Sequence, residues 1–127
     1  MPDFDWEEYL ELAEELVKRR GNPAAERSGI SRAYYAAFHT AANYFSTRGQ
    51  RLTLTGTDHR EVWDWFRLRT DEVEKSVGSN GRALVGSRRK ADYEVKFEGL
   101  SSEAEYSVIM ARAVVNDVRH LIGLSQK

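Results

Sequence analysis

The sequence predicts an all-α protein: one domain over residues 1–127, folded as an antiparallel bundle of about five helices. Three observations carry that prediction. Apolar residues recur at three-and-four spacing along most of the chain, the period of one helix face. Val, Ile and Thr are sparse and do not alternate in steps of two, so strands are not expected. Caps and stops divide the chain into helix-length segments with short connections, which favours antiparallel neighbours.

The first helix is expected from about Asp5 to Arg20, with Trp6, Tyr9, Leu10, Ala13, Leu16 and Val17 as its apolar stripe. Acidic residues fill its first turns and Lys18, Arg19 and Arg20 its last, complementing the helix dipole, and Gly21 stops it. The two prolines, Pro2 and Pro23, fall at helix starts. Asn22 as N-cap with Pro23 after it opens the second helix, expected to reach about Arg48 with Gly49 as its stop. Gly29 is expected to weaken or kink it.

The third helix is expected from Thr57-Asp58-His59 to Val77, carrying Val62, Trp65, Phe66, Val73 and Val77. Trp63 falls beside that stripe and is expected at a subunit interface. Gly78-Ser79-Asn80-Gly81 reads as a turn, followed by a shorter helix from Arg82 to Phe97. Ser102 and Glu105 form a capping box for the last helix. That helix is expected to run to about Ile122, with Ala104, Val108, Ala111, Val115, Val118 and Ile122 inward.

Composition narrows the function classes. Apolar residues at 41% and charged residues at 31% describe a globule with one core rather than a disordered tail. A net charge of −1 gives no global field for nucleic acid, so any such contact must come from a local patch. The absence of cysteine excludes disulfides and Cys-based zinc or redox sites. The acidic N-terminal segment lacks a signal-peptide pattern, and no apolar run approaches the ~20 residues that span a bilayer. A cytoplasmic protein with no membrane contact, no metal and no cofactor is the expectation.

The second helix carries the candidate chemistry. Arg32 and His39 are seven residues apart, which at 100° per residue returns them to nearly the same face two turns apart. Ser28 and Asn43 continue that polar line through a stretch otherwise made of Ala and aromatics. One reading makes Arg32 and His39 structural, satisfied by carboxylates of other helices such as Asp92 or Glu94. The other makes them catalytic. Arginine holds a phosphate and stabilises charge in the transition state, and histidine moves a proton near neutral pH. Cleavage of a phosphodiester by its own 2′-hydroxyl needs those two abilities and no metal.

Ser31-Arg32-Ala33-Tyr34-Tyr35-Ala36-Ala37-Phe38-His39 closely resembles the SRxYYAxFH signature of the HEPN family, in its branch of small stand-alone prokaryotic proteins. Thr57-x-His59-x-x-Val62 looks like the start of that family's third helix, and Arg88-x-x-Ala91-Asp92-Tyr93 like its RxxADY element. The resemblance covers residues 31 to 93 in order. It implies a helical bundle that forms a homodimer, and a metal-independent endoribonuclease whose Arg-x(4–6)-His motifs meet across the dimer, a spacing that Arg32 and His39 satisfy. It further implies a toxin–antitoxin or phage-defence role, with a nucleotidyltransferase-type antitoxin as partner. Arg32 and His39 are then the catalytic pair, oriented by Tyr35 and Asn43.

The remaining candidates keep two readings each. Arg88 and Asp92 stand at i and i+4, suited to an ion pair that locks their segment to the second helix. His59 reads as a neighbour of a helix start more readily than as a catalyst. Arg82, Arg88, Arg89 and Lys90 form the one dense basic cluster, either an RNA-phosphate surface or a solvated charged face. Arg67 and Arg69 join it only if the fold brings them near. On the rival view the bundle is a catalytically inactive nucleotide- or protein-binding module.

Overall fold

The computed structural model describes residues 3–53 and 56–125, which form five α-helices with no strand among the described residues. Pro2 lies outside them. The helices are α1 (Glu7–Val17), α2 (Pro23–Thr47), α3 (Asp58–Arg67), α4 (Glu72–Tyr93) and α5 (Leu100–Ser125). No described helix is long and apolar enough to cross a membrane.

α2 is the central rod and packs against each of the other four. Its composition explains why. Ala33, Ala36, Ala37 and Ala41 are fully buried, and their small side chains let neighbouring helices approach, while Tyr34, Phe38, Tyr44 and Phe45 fill the space between them. Asn22 opens the helix as expected: its side-chain oxygen accepts from the Ala25 N–H at 3.1 Å. The helix runs unbroken through Gly29. A Cβ there would lie 2.6 Å from Val17 Cγ1, so the glycine is the point where α1 lies against α2.

α1 is shorter than its stripe suggested. Asp5 accepts from the Glu7 N–H at 3.0 Å, and the helix ends at Val17. Lys18, Arg19 and Arg20 therefore lie in the turn, which Gly21 completes at φ 85°.

The largest departure lies between residues 68 and 81. The expected long third helix is two helices. α3 ends at Arg67, and Asp71 caps a new helix by accepting from the Glu74 N–H at 2.9 Å. The expected turn at Gly78-Ser79-Asn80-Gly81 lies inside α4. Both glycines serve the α3–α4 contact. A Cβ at Gly81 would stand 2.1 Å from the Trp63 ring, and one at Gly78 would stand 2.6 Å from the Arg67 backbone nitrogen. Helical glycine costs roughly 0.5–1 kcal/mol per residue. Complete burial of Trp63, an indole worth several times that, offsets the cost. Trp63 is thus a core residue and not an interface residue. Its Nε1–H donates to the Tyr34 hydroxyl at 3.1 Å.

α4 stops at Tyr93, four residues before the expected end, and α5 starts at Leu100, two before the expected capping box. Ser101 instead donates to the buried carboxylate of Glu26 at 2.5 Å, joining α5 to α2. Arg112 bridges Glu7 at 2.9 Å and Glu14 at 2.7 Å, and Arg119 adds a 2.8 Å contact to Glu7, so α5 is tied to α1 by charge as well as packing.

Candidate functional site

The fold gathers the three segments that carried the sequence resemblance into one cluster on α2, α3 and α4. Ser31 donates to Asp92 at 3.4 Å, and Arg88 pairs with the same carboxylate at 3.6 Å. The Arg88 guanidinium lies over the Tyr34 ring at 5.4 Å and the Tyr35 ring at 5.9 Å, so two π-faces and a carboxylate hold it. Tyr34 meets His59 Nδ1 at 2.5 Å. Phe38 stacks on the His59 imidazole with ring centroids 3.9 Å apart. Arg88 and Asp92 thereby fasten α4 to α2, and His59 fastens α3 to it.

The tautomer of His59 follows from this bonding. Burial pushes the Tyr34 phenol up to about 12, so it keeps its proton. Its oxygen already accepts from Trp63, and Nδ1 is the acceptor placed to receive its O–H. The His59 proton therefore resides on Nε2. Burial lowers the His59 pKa, and the positive charges of Arg88 and Arg89 lower it further against an opposing effect of Asp58.

Arg32 and His39 occupy the α1 side of α2. Arg32 is exposed, with its guanidinium 5.0 Å from the Tyr9 ring centroid. His39 is half-buried and stacks flat on Trp6 at 3.6 Å. Trp6 and Tyr9 are in edge contact, so the two residues rest on neighbouring rings of one aromatic group. Among the described residues neither Arg32 nor His39 has a hydrogen bond or an ion pair, and Asp92 and Glu94 are not their partners. Glu94 contributes only its backbone carbonyl, to Arg27. Each residue lines its own cavity. His39 lines one of about 610 Å³ with Asn43, Trp6 and Arg119, and Arg32 lines one of about 360 Å³ with Ser31 and Asp92. Burial lowers the His39 pKa first, and the nearby His59 lowers it further.

Tyr35 stands between the two histidines, with its ring 6.2 Å from His39 and 6.1 Å from His59. Asn43 is exposed beside His39. The basic cluster divides. Arg82, Arg88 and Arg89 line a third cavity of about 460 Å³ together with His59 and Arg60. Lys90 lies elsewhere, 5.9 Å from the Phe97 ring. Arg67 shares the Asp64 carboxylate with Arg82, at 3.4 and 3.1 Å, and so stands beside the cluster without lining the cavity, while Arg69 lies over Trp65 at 4.7 Å.

His59 and Arg60 are the residues that sequence reasoning undervalued. The signal was present: a histidine in a Thr-x-His element, upstream of a tryptophan, needs a partner once the helix packs. Which partner it takes depends on α2, 25 residues away. No group of three or more His, Cys, Asp or Glu that could hold a metal ion occurs among the described residues. Comparison with family models, with curated proteins and with solved structures finds no match to this chain.

Proposed function

We propose that this chain is a HEPN-type, metal-independent endoribonuclease that works as a homodimer in a toxin–antitoxin or phage-defence setting. The observation that carries the reading is the state of Arg32 and His39. An arginine and a histidine stand on one helix with no hydrogen-bond or ion-pair partner among the described residues, each lining an open cavity.

In this reading Arg32 holds the non-bridging oxygens of a phosphodiester and offsets the charge that builds on them. His39 takes the proton from the ribose 2′-hydroxyl. The freed oxygen attacks phosphorus, the P–O5′ bond breaks, and the departing 5′-oxygen takes a proton from the imidazolium formed in the first step, which returns His39 to its neutral state. The products are a 2′,3′-cyclic phosphate and a 5′-hydroxyl. The lowered His39 pKa suits the first step, because the imidazole is neutral and able to accept a proton at pH 7. Tyr35 and Asn43 flank the imidazole. Arg82, Arg88 and Arg89 offer positive charge for the flanking backbone.

The test is cleavage of single-stranded RNA by the wild type, Arg32→Ala and His39→Ala, with helical content and sedimentation measured on each. Loss of cleavage in both folded variants, with a dimer in the wild type, is expected. Undiminished cleavage by His39→Ala removes the assignment.

One observation favours a second reading, a non-catalytic nucleotide- or protein-binding module that partners a nucleotidyltransferase. The His39 ring is stacked at 3.6 Å on Trp6 and so already serves packing. On that reading His39→Ala lowers thermal stability and the wild type shows no cleavage.

A further inference from the structure

We infer that the cavity between α3 and α4 is a phosphate-binding site apart from Arg32 and His39; the inference deepens the proposed function, which gives Arg82, Arg88 and Arg89 to the flanking RNA backbone, and is tested by binding alone. Its donors are His59 Nε2–H and the guanidinium groups of Arg60, Arg88 and Arg89.

The charge around this cavity is unbalanced. Four arginines and a histidine line it, and no carboxylate does so among the described residues. Arg82 is engaged with Asp64 at 3.1 Å. Arg60 and Arg89 have no hydrogen bond or ion pair among the described residues, and like charges gathered on one cavity wall lower in energy when an anion enters.

Arg88 adds an independent observation. It is largely buried, yet among the described residues it makes no hydrogen bond. Its one ionic contact, to Asp92, is 3.6 Å long, and its buried Nε has no acceptor. The Nε is closed off from solvent, but the terminal guanidinium nitrogens, with no hydrogen bond among the described residues, keep donor capacity beside the cavity. His59 is also oriented for the task. Because Nδ1 receives the Tyr34 hydroxyl, Nε2 carries the hydrogen and is left to donate.

Donors from two helices converging on one volume suit a tetrahedral anion with several acceptor oxygens better than a planar carboxylate. The cavity, about 460 Å³, falls in the range of small-molecule sites and leaves room for a sugar beside the phosphate. The phosphate belongs either to a mononucleotide or to an RNA backbone.

Gly86 supplies a clean test. It lines the cavity, lies in α4 and has nothing within 4 Å of where a Cβ would stand, so a side chain there enters the cavity without disturbing the core. Binding of inorganic phosphate, adenosine 5′-monophosphate and a short single-stranded RNA is measured by calorimetry on the full chain. Gly86→Glu and the double variant Arg60→Ala/Arg89→Ala are each expected to weaken binding at least tenfold. Lys18→Ala, which removes one positive charge far from the cavity, leaves it unchanged. Equal gains for the monophosphate and the RNA over inorganic phosphate point to a nucleotide site, and an RNA tenfold tighter than the monophosphate points to a backbone site. The inference is overturned if both variants bind inorganic phosphate as the wild type does, or if no probe binds below about 10 mM. The readout is binding rather than cleavage, so its outcome and that of the nuclease test are distinguishable.

Discussion

Tyr34 and His59 share a 2.5 Å hydrogen bond that joins the central helix to α3, and the Trp63 indole completes the chain by donating to the same hydroxyl at 3.1 Å. One phenol oxygen thus satisfies a fully buried indole and fixes which nitrogen of an imidazole is protonated. It also couples the core to the edge of the basic cavity.

Removing that oxygen tests the coupling. Tyr34→Phe keeps the ring and leaves Trp63 Nε1–H and His59 Nδ1 without their partner. The expected destabilisation is roughly 1–3 kcal/mol, the usual cost of stranding buried polar groups. Urea unfolding monitored by fluorescence gives the number, and a change below a few tenths of a kcal/mol would mean that water replaces the hydroxyl.

Two glycines of α4 should respond in opposite directions to the same substitution. Gly81→Ala forces a methyl into the Trp63 ring and is expected to cost roughly 1–3 kcal/mol, as over-packed core sites do. Gly86→Ala meets open space in a helix and is expected to stabilise by about 0.5–1 kcal/mol. Thermal melts of the pair separate helix propensity from packing.

Stability should fall as the solution is acidified. Folding lowers the pKa of both His39 and His59 from 6.5, chiefly through burial. Just below pH 6.5 the unfolded chain therefore binds more protons than the folded one, and acid favours unfolding. The contribution is complete above pH 6.5. It is lost as the pH drops through 6.5 toward the folded-state values, below which the loss levels off. Melting temperatures measured across that window should show the decline, and a His39→Gln/His59→Gln variant should show a shallower one.

Arg112 provides a control for the site assignment. It holds Glu7 and Glu14, so Arg112→Ala should destabilise by about 1 kcal/mol in a salt-dependent way, as a small, partly exposed ion-pair network does. Its guanidinium is committed to α1, so RNA cleavage by the folded variant should stay at the wild-type rate. Abolished cleavage would move the candidate chemistry to α5.

Much of the fold was legible because its signals are local. Asn22-Pro23 marked the start of α2, and Gly49 its end, with residues that act within one turn. The stripes of α1 and α5 were readable because period and composition agree there. The junction of α3 and α4 was misread because Phe66, Val73 and Val77 keep helical spacing across a break, and the cap at Asp71 with Glu74 three residues on was overlooked. The glycines at 78 and 81 looked like a turn because glycine at a helix–helix contact and glycine in a turn are the same letter.

By itself the sequence determined that this chain is helical, where most of its helices begin, and that α2 carries an arginine and a histidine two turns apart. Only the tertiary structure decided that those two residues rest on the aromatics of α1, that His59 bonds to Tyr34, and that Arg60, Arg88 and Arg89 share a cavity with it. The physical reason is range. Caps and periodicity act over a few residues along the chain, whereas a partner 25 or more residues away is chosen by which faces the helices bury.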